Sequence, residues 1–257
     1  MTMKNAREDI PKSVRNEGSG KMHDETRRKL LDAAAEIFAG TGFQAATVRD
    51  ICARAGANVA AVNYHFGDKL GLYTELLKSS VEENQGPVLK SVMDAQDAED
   101  ALRRFLHGMF QLNTQGGRPS VYVRVMTHEL AQPSPALALV VEHVIRPRSE
   151  VLHGIVGRII GCRPDSPQTR LCVHSIVGQI VHYIHARPVI ELLWPEFRMT
   201  PKRIEEIADH VTEFSLGALK AIKKKIEKRA AARAACKAVP KAISKAASKA
   251  TSTRRSK

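Results

Sequence analysis

The 257-residue sequence has few cysteines, few aromatic residues and no long apolar run. Its four cysteines are widely spaced and include no Cys-x-x-Cys pair, which argues against a disulfide scaffold and favours a reducing compartment. The first 21 residues contain no apolar core of the kind that a signal peptide needs, and no segment approaches the roughly 18 apolar residues of a membrane span. We therefore expect a soluble, cytoplasmic protein with no membrane partner.

Signatures of catalysis are also missing. His128 and Glu129 lack the second histidine of a zinc-protease helix, and no Gly-x-Ser-x-Gly motif occurs. Gly154, Gly157 and Gly161 are not flanked by a strand pattern, so they do not indicate a phosphate-binding loop. The sequence predicts a protein that is not an enzyme and needs no cofactor.

Positive charge is abundant, but it lies at one end of the chain. The formal net charge is +13, and from Lys220 onward 14 lysines and arginines face the single acid Glu227, so residues 1–219 are net neutral. From residue 230 the composition is mainly Ala, Lys, Ser and Arg, with Pro240 interrupting the run. Lysines recur there every fourth residue, which would align like charges on one helix face, so we expect a disordered tail.

Two functions remain open for this basic tail. It is either a solvated low-complexity end or an auxiliary DNA-binding arm that neutralises phosphates without reading sequence. Because the preceding 219 residues are net neutral, the second interpretation is favoured.

The apolar spacing between these ends is helical almost throughout. Residues 1–22 are polar and predict a disordered arm, after which Asp24 can cap a helix that ends at Gly40. No strand alternation is evident, so the fold class is predicted to be all-α. Further amphipathic helices are expected at about 97–112, 119–130, 135–161, 167–187 and 201–229.

Two short helices in the N-terminal part have the lengths of a helix-turn-helix. Thr47 and Asp50 form a capping pair at the start of the first helix, which Gly56 ends. Asn58 can cap the second helix, residues 59–66. Helices of these lengths joined by a tight turn are typical of DNA-binding motifs in which the second helix enters the major groove.

The second helix has one apolar side and one side suited to DNA. Val62 and Phe66 are four residues apart and face the core, which places Ala60, Asn63 and Tyr64 near the opposite side. Small alanines allow close approach to the groove, and Asn63 is suited to bidentate pairing with an adenine edge. Phosphate oxygens are expected to receive hydrogen bonds from Thr47, Tyr64, His65 and Lys69.

The segment TVRDICARAGANVAAVNYHFGDKLGLY, residues 47–73, resembles the DNA-binding signature of the TetR family of bacterial transcription regulators. The resemblance covers about residues 23–84 and extends to the Asp-Lys-x-x-Leu/Tyr stretch after the second helix. Val59 departs from it, because many members carry a lysine or another polar residue at that position. The resemblance and the exposed helix face together predict a DNA-contact set of Thr47, Asn58, Ala60, Ala61, Asn63, Tyr64, His65 and Lys69.

Residues 128–137, 144–152 and 174–190 resemble the C-terminal domain of a TetR subgroup that includes repressors of multidrug-efflux genes. This resemblance implies a homodimer formed through a four-helix bundle, with helices 167–187 and 201–222 as the natural contribution of each subunit. It also implies a pocket for a small-molecule inducer. Methionine and aromatic side chains suited to such a pocket, each equally suited to plain core, are Met109, Phe110, Tyr122, Met126, Tyr183 and Trp194.

Histidines on one predicted helix suggest a second kind of site. His174, His182 and His185 fall within about 80° of one another on a helix, and Cys172 is close by. The spacing matches no standard zinc pattern, and histidines on an apolar helix are more often buried or interface residues. We therefore predict no metal site.

The sequence as a whole predicts a ligand-responsive, sequence-specific transcriptional regulator, a repressor that binds a palindromic operator as a dimer. The alternative is an architectural protein that coats DNA without sequence preference through its lysine-rich tail. The predicted organisation is a disordered arm at 1–22, a helix-turn-helix domain at 23–84, a ligand-binding and dimerisation domain at 85–229 and the basic tail at 230–257.

Overall fold

The computed structural model describes the backbone of residues 12–115 and 118–254, and the side chains of residues 23–79, 86–114 and 119–232. These residues confirm the predicted all-α class. The helices are α1 (Lys12–Ala45), α2 (Val48–Ala55), α3 (Val59–Phe66), α4 (Lys69–Met93), α5 (Ala98–Asn113), α6 (Val121–Ala131), α7 (Ala136–Val140), α8 (Arg146–Ile160), α9 (Pro167–His185), α10 (Arg187–Leu193) and α11 (Pro201–Arg254).

Three short features were not predicted from the sequence. A two-residue antiparallel pair joins α5 to α6, with β1 (Thr114–Gln115) opposite β2 (Arg118–Pro119). A π-helical turn, Val141–Ile145, links α7 to α8. The seven-residue helix α10 follows α9 without a pattern long enough to reveal it.

Helix extends into both segments for which the sequence predicted disorder. The backbone is helical from Lys12 in α1 and as far as Arg254 in α11, past Pro240. Alanine and lysine have high helix propensity, which outweighs the like-charge spacing in this backbone geometry. Disorder of the arm and the tail in solution stays a prediction.

The chain divides into two compact units. The first comprises Met1–Pro87, Gln111–Arg148 and Ile184–Pro195, and the second comprises the three intervening segments through Lys257. The predicted domain boundary at residue 84 therefore falls inside α4, within three residues of the point where the first unit's opening segment ends.

The first unit is built around the helices of the predicted DNA-binding motif. Leu30, Phe38, Ile51 and Val62 have no exposed surface, so α1, α2 and α3 share one apolar core with α4. Burying side chains of this size contributes about 1.5–3 kcal/mol each. Ile37 on α1 packs at the edge of that core.

The predicted end of the first helix at Gly40 is wrong by two residues. The backbone leaves helical geometry at Gly42, where φ is 77° and ψ is 173°. An added Cβ at Gly42 would lie 3.1 Å from the His128 ring, because α6 packs closely against this end of α1. The contact with α6 therefore determines that α1 leaves helical geometry at Gly42, and the local sequence does not indicate this contact.

The second unit contains most of α5, α8, α9 and α11. Its core includes Phe105, Leu152, Ile176 and Val211, each no more than 3% exposed. On its surface Arg103 forms ion pairs with Asp209 and Glu213, and Lys220 pairs with Glu99 across 2.7 Å. These pairs connect α5 to α11. Within the described parts of the chain, no helix is long and apolar enough to cross a membrane.

Candidate DNA-binding surface

The start of α2 is fixed by the capping pair that the sequence predicted. Thr47 has extended backbone geometry, and its Oγ1 accepts the Asp50 backbone N–H across 3.1 Å. The same hydroxyl donates to Asp50 Oδ2 across 2.6 Å. In this geometry its proton is used within the protein, so the predicted donation to a phosphate requires the hydroxyl of the exposed Thr47 to turn away from Asp50.

The helix-turn-helix angle depends on the turn at Gly56. This residue has φ 62°, the left-handed region that favours glycine, and Ala57 N–H donates to the Cys52 carbonyl across 2.9 Å. Asn58 then caps α3, with its Oδ1 accepting the Ala61 N–H across 2.8 Å. Both predicted caps are confirmed, and the side-chain amide N–H groups of Asn58 stay available for another partner.

The α3 helix presents its predicted outer face to solvent. Val62 is completely buried, whereas Ala60 and Asn63 are exposed and Tyr64 is 75% exposed. Ala61 lies at the edge of the core, partly buried. The small, polar and aromatic groups expected to face DNA are thus on one accessible side of a well-anchored helix.

A tight turn sets how α4 follows α3. Gly67 has φ 81°, and the Asp68 carboxylate accepts the Gly71 N–H across 2.7 Å at the start of α4. An added Cβ at Gly71 would lie 1.9 Å from the Phe66 carbonyl oxygen, a distance that the backbone cannot tolerate. The sequence analysis did not predict a special role for Gly71. The only local indication of such a role is that a glycine follows Asp-Lys-Leu.

Aromatic and imidazole rings cluster at the end of α3. The His23 ring centroid lies 5.2 Å from that of Tyr64 and 4.2 Å from that of His65, and the Arg27 guanidinium lies over the Phe66 ring at 5.6 Å. Burial lowers the pKa of His65, and the nearby His23 and Arg27 lower it further. His65 is therefore neutral at pH 7 and suited to a hydrogen bond rather than an ion pair.

Lys69 has an intramolecular role that the sequence did not indicate. Its Nζ lies 4.5 Å from the centre of the Phe43 ring and donates to the Gln44 carbonyl across 3.4 Å. Partial burial lowers its pKa from the usual value. The ammonium group therefore packs on the end of α1, and its predicted phosphate contact stays a prediction.

Arg49 is a candidate phosphate contact that sequence reasoning missed. It lies in the first turn of α2, two residues after Thr47, and is exposed. Among the residues with described side chains it has no ion-pair partner, whereas Arg27 pairs with Glu75 and Arg54 pairs with Glu36. An exposed cation at the start of α2 is suited to a DNA phosphate.

A buried carboxylate links the DNA-binding helices to α6 within the first unit. Glu129 is 1% exposed and accepts hydrogen bonds from the Tyr73 hydroxyl and the Ser134 hydroxyl, each across 2.7 Å, and from the Ser134 N–H across 3.0 Å. Burial and the carboxylate raise the pKa of Tyr73. Sequence reasoning considered Glu129 only as part of a protease motif, and no local pattern pairs it with a tyrosine 56 residues earlier.

The residues predicted to line a ligand pocket are divided between the two units. In the second unit Phe110 and Tyr183 are in contact, with ring centroids 6.3 Å apart. In the first unit Tyr122 is partly buried and Trp194 is 45% exposed. The remaining two predicted residues are Met109, partly buried in the second unit, and Met126, buried in the first.

The histidines of α9 have separate surroundings. His185 Nδ1 lies 2.9 Å from Thr127 Oγ1 on α6, and burial lowers its pKa. His174 and His182 are exposed, and the His182 ring lies against Tyr183. Considering only side chains that the structure describes, no group of three or more His, Cys, Asp or Glu residues is placed to hold a metal ion.

Two family models match the chain. Residues 30–76 match the model described as bacterial regulatory proteins of the tetR family. Residues 98–219 match the C-terminal domain of the HTH-type transcriptional dual regulator CecR. The last two-thirds of α4 lies between the two matched ranges. The first range falls within the predicted helix-turn-helix domain and the second within the predicted ligand-binding and dimerisation domain.

Curated relatives are transcriptional regulators. The dual regulator CecR of Shigella flexneri is 27% identical over 171 residues, which cover 62% of this chain and 76% of the relative. The transcriptional activator FasR of Mycolicibacterium smegmatis is 31% identical over 111 residues, which cover 42% of this chain and 51% of the relative. The sequence motif and its setting are thus shared with DNA-binding proteins.

Solved structures share the fold. A TetR-family transcriptional regulator from Streptomyces coelicolor superimposes with a TM-score of 0.58 at 17% identity, covering 77% of this chain and 97% of the other. FadR from Bacillus subtilis, in complex with stearoyl-CoA, has a TM-score of 0.57 at 18% identity and covers 74% and 97%. At these identities the likeness establishes the fold alone.

Proposed function

We propose that this chain, a TetR-family DNA-binding transcriptional regulator with a CecR-type C-terminal domain, is a homodimeric, ligand-controlled repressor that binds a palindromic operator. The observation that carries the proposal is the outer face of α3, where Ala60, Asn63 and Tyr64 are exposed on a helix that Val62 anchors. The proposed contact set stays the one predicted from the sequence, with Arg49 added.

Each side chain of this surface has a separate role in the proposal. Asn63 reads an adenine edge, and Ala60 lets the backbone come close to the groove floor. Tyr64, neutral His65 and Arg49 bind phosphates and fix the register of the helix on DNA. Because the segment 23–79 contains seven basic and seven acidic residues, the head itself supplies little long-range attraction.

An apolar face in the second unit supports the proposed dimer. On α9 and α11, Leu171 is 65% exposed and Phe214 is 61% exposed, and Val177 and Val181 are also exposed. An added Cβ at Gly178 would meet nothing within 4 Å of its own chain, which leaves room for a second copy to approach closely. Two helices per subunit would form the four-helix interface, and its two-fold symmetry would be mirrored in a palindromic operator.

Control by a small molecule requires a link between the DNA-binding helices and the rest of the chain. The hydrogen bonds of Glu129 to Tyr73 on α4 and to Ser134 after α6 provide such a link. A ligand that prefers one arrangement of α6 would change operator affinity by its differential affinity for the two states. The FadR structure with stearoyl-CoA supports the capacity of this fold to hold a small molecule.

Selection of binding sites from random DNA tests the proposal. The full-length protein and a version ending at residue 230 are each equilibrated with random DNA at near-physiological salt, and the bound sequences are read. One palindrome recovered by both proteins supports a repressor that reads sequence through α3. Uniform recovery without a motif would instead support the alternative of an architectural protein that coats DNA through its tail. Transcription from a promoter carrying the selected site then gives the sign of regulation.

A further inference from the structure

Arg148 is a buried cation without an internal counter-charge. It lies in the first turn of α8 and is 8% exposed, and its guanidinium carbon lies 5.4 Å from the centre of the Tyr122 ring on α6. Its Nε is shielded from solvent and has no hydrogen-bond partner. Across the side chains described, no carboxylate lies within ion-pair distance of this guanidinium.

This arrangement is energetically unusual. Arginine stays protonated in proteins, so burial cannot be relieved by loss of the charge. A buried charge normally has a partner because its desolvation costs several kcal/mol. The face of Tyr122 compensates only part of that loss, since a cation over an aromatic ring gains about 0.5–2 kcal/mol. The nearby Arg146 contrasts with it, being exposed and paired with Glu142 across 2.7 Å.

The backbone around Arg148 is irregular as well. Pro147 has no N–H to donate to the carbonyl four residues earlier, and the preceding turn, Val141–Ile145, is π-helical. The Arg146 N–H donates instead to Val141 O, five residues back. Single π-helical turns within helices occur frequently at functional sites. This turn places Arg148 against α6 rather than toward solvent.

The segment before Arg148 and the part of α6 next to Tyr122 are apolar. Val140 and Val144 are at most 2% exposed and belong to one hydrophobic cluster with Val125 and Met126, against which Tyr122 packs. A ligand group that reaches the guanidinium from this side must therefore carry its charge at one end and apolar atoms elsewhere. Carboxylates and phosphates match the planar fork of arginine, with two parallel hydrogen bonds.

We propose that Arg148, lying over Tyr122, is the anion-recognition residue for the regulatory ligand, which is an amphipathic small molecule with a carboxylate or phosphate group. The inference rests on the proposed ligand control and names the chemical class of its effector. Binding of the anion supplies the missing counter-charge and draws Arg148 away from Tyr122. Tyr122 and Glu129 are both on α6, in the same unit as Arg148. A movement of Arg148 away from Tyr122 therefore acts on α6 directly.

Calorimetric titration of the full-length protein tests the assignment. The probes are decanoate and decyl phosphate, which distinguish the two anion chemistries, and decan-1-ol as their neutral counterpart, all below micellar concentrations. We expect at least one anion to bind wild type, and Arg148→Met to weaken it about ten- to hundredfold, the effect of losing a charged hydrogen bond. Arg148→Lys keeps the charge without the fork and should fall between. Arg146→Met is the matched control and should leave affinity unchanged.

Thermal unfolding of the ligand-free proteins gives a second readout. Arg148→Met should unfold at the same or a higher temperature than wild type, because it removes an uncompensated buried charge. A lower unfolding temperature would show that Arg148 is a structural residue. Equal affinity of decan-1-ol and both anions for wild type, or full anion affinity in Arg148→Met, would also overturn the assignment.

Operator release, measured separately, distinguishes this inference from the function on which it rests. Arg148-dependent anion binding that leaves the operator bound would refute ligand control while keeping the anion site. Release by decan-1-ol that persists unchanged in Arg148→Met would keep ligand control and refute the anion site.

Discussion

Replacement of Asn63 by alanine gives the sharpest test of sequence reading by α3. The side chain is exposed, and within the described part of the chain it makes no hydrogen bond, whereas the backbone carbonyl of Asn63 accepts the Gly67 N–H across 3.1 Å. Its truncation should therefore leave the fold intact. A bidentate contact to a base discriminates by about 1–3 kcal/mol, so each half-site should lose about 5- to 150-fold in affinity. A dimer bound to both half-sites should lose about twice that free energy.

Asn58→Ala is the comparison for stability. Because Asn58 also belongs to the proposed DNA-contact set, the two variants are compared by their free energies of unfolding and not by their DNA affinities. The Asn58 side chain caps α3 by accepting the Ala61 N–H, and its loss should lower the free energy of unfolding by about 0.5–2 kcal/mol. Asn63→Ala should leave that free energy unchanged. The two variants thus separate a contact that recognises DNA from one that builds the helix.

Fluorescence anisotropy with the selected operator, single-base variants of it and random DNA measures the prediction at fixed salt. Asn63→Ala should weaken operator binding, bind random DNA as wild type does, and lose its preference at one position in each half-site. Equal weakening on every sequence would refute the assignment and show that Asn63 contacts the backbone of DNA. A parallel loss of stability would refute the structural premise.

Four further results are expected. Deletion of residues 231–257 should weaken binding equally on operator and random DNA and flatten the log–log salt dependence by about 0.9 per lost phosphate contact, whereas an unchanged slope would leave the tail without a DNA role. Phe214→Glu should yield monomers in sedimentation and lose operator binding. Tyr73→Phe leaves Glu129 with one hydrogen bond fewer and should lower the free energy of unfolding by about 1–3 kcal/mol, as chemical denaturation would measure. Burial lowers the pKa of His185, so the unfolded chain binds its proton first as pH falls; stability should decrease below about pH 6.5, less so in His185→Gln.

The parts of the site that the sequence predicted correctly depend on short-range chemistry. Thr47 and Asn58 accept backbone N–H groups three residues ahead, as their spacing required. The burial of Val62 opposite Asn63 follows from helical periodicity alone. For the same reason α2 and α3 have the predicted bounds, because each helix begins at a cap and ends at a glycine.

Contacts between distant segments account for what the sequence missed. The contacts of the Lys69 ammonium group with Phe43 and Gln44 were not predicted, because the end of α1 lies about 25 residues away along the chain. Gly42 leaves helical geometry because α6 packs on it, and no feature of the segment around Gly40 indicates that neighbour. In the sequence, Glu129 was considered only as part of an incomplete zinc-protease motif. Packing of the fold places the Tyr73 hydroxyl 2.7 Å from its carboxylate.

The sequence by itself determined the all-α class, the helix-turn-helix with its caps and the outward face of α3, because hydrophobic periodicity and capping act within about four residues. It also determined that the cations gather in the tail, since formal charge follows from composition. Only the tertiary structure decided that Arg148 lies over Tyr122 with no counter-charge among the described side chains, and that Glu129 joins α4 to α6. Both depend on which side chains meet when they lie 26 and 56 positions apart in the chain, and burial gives these contacts their energies only once the core has formed.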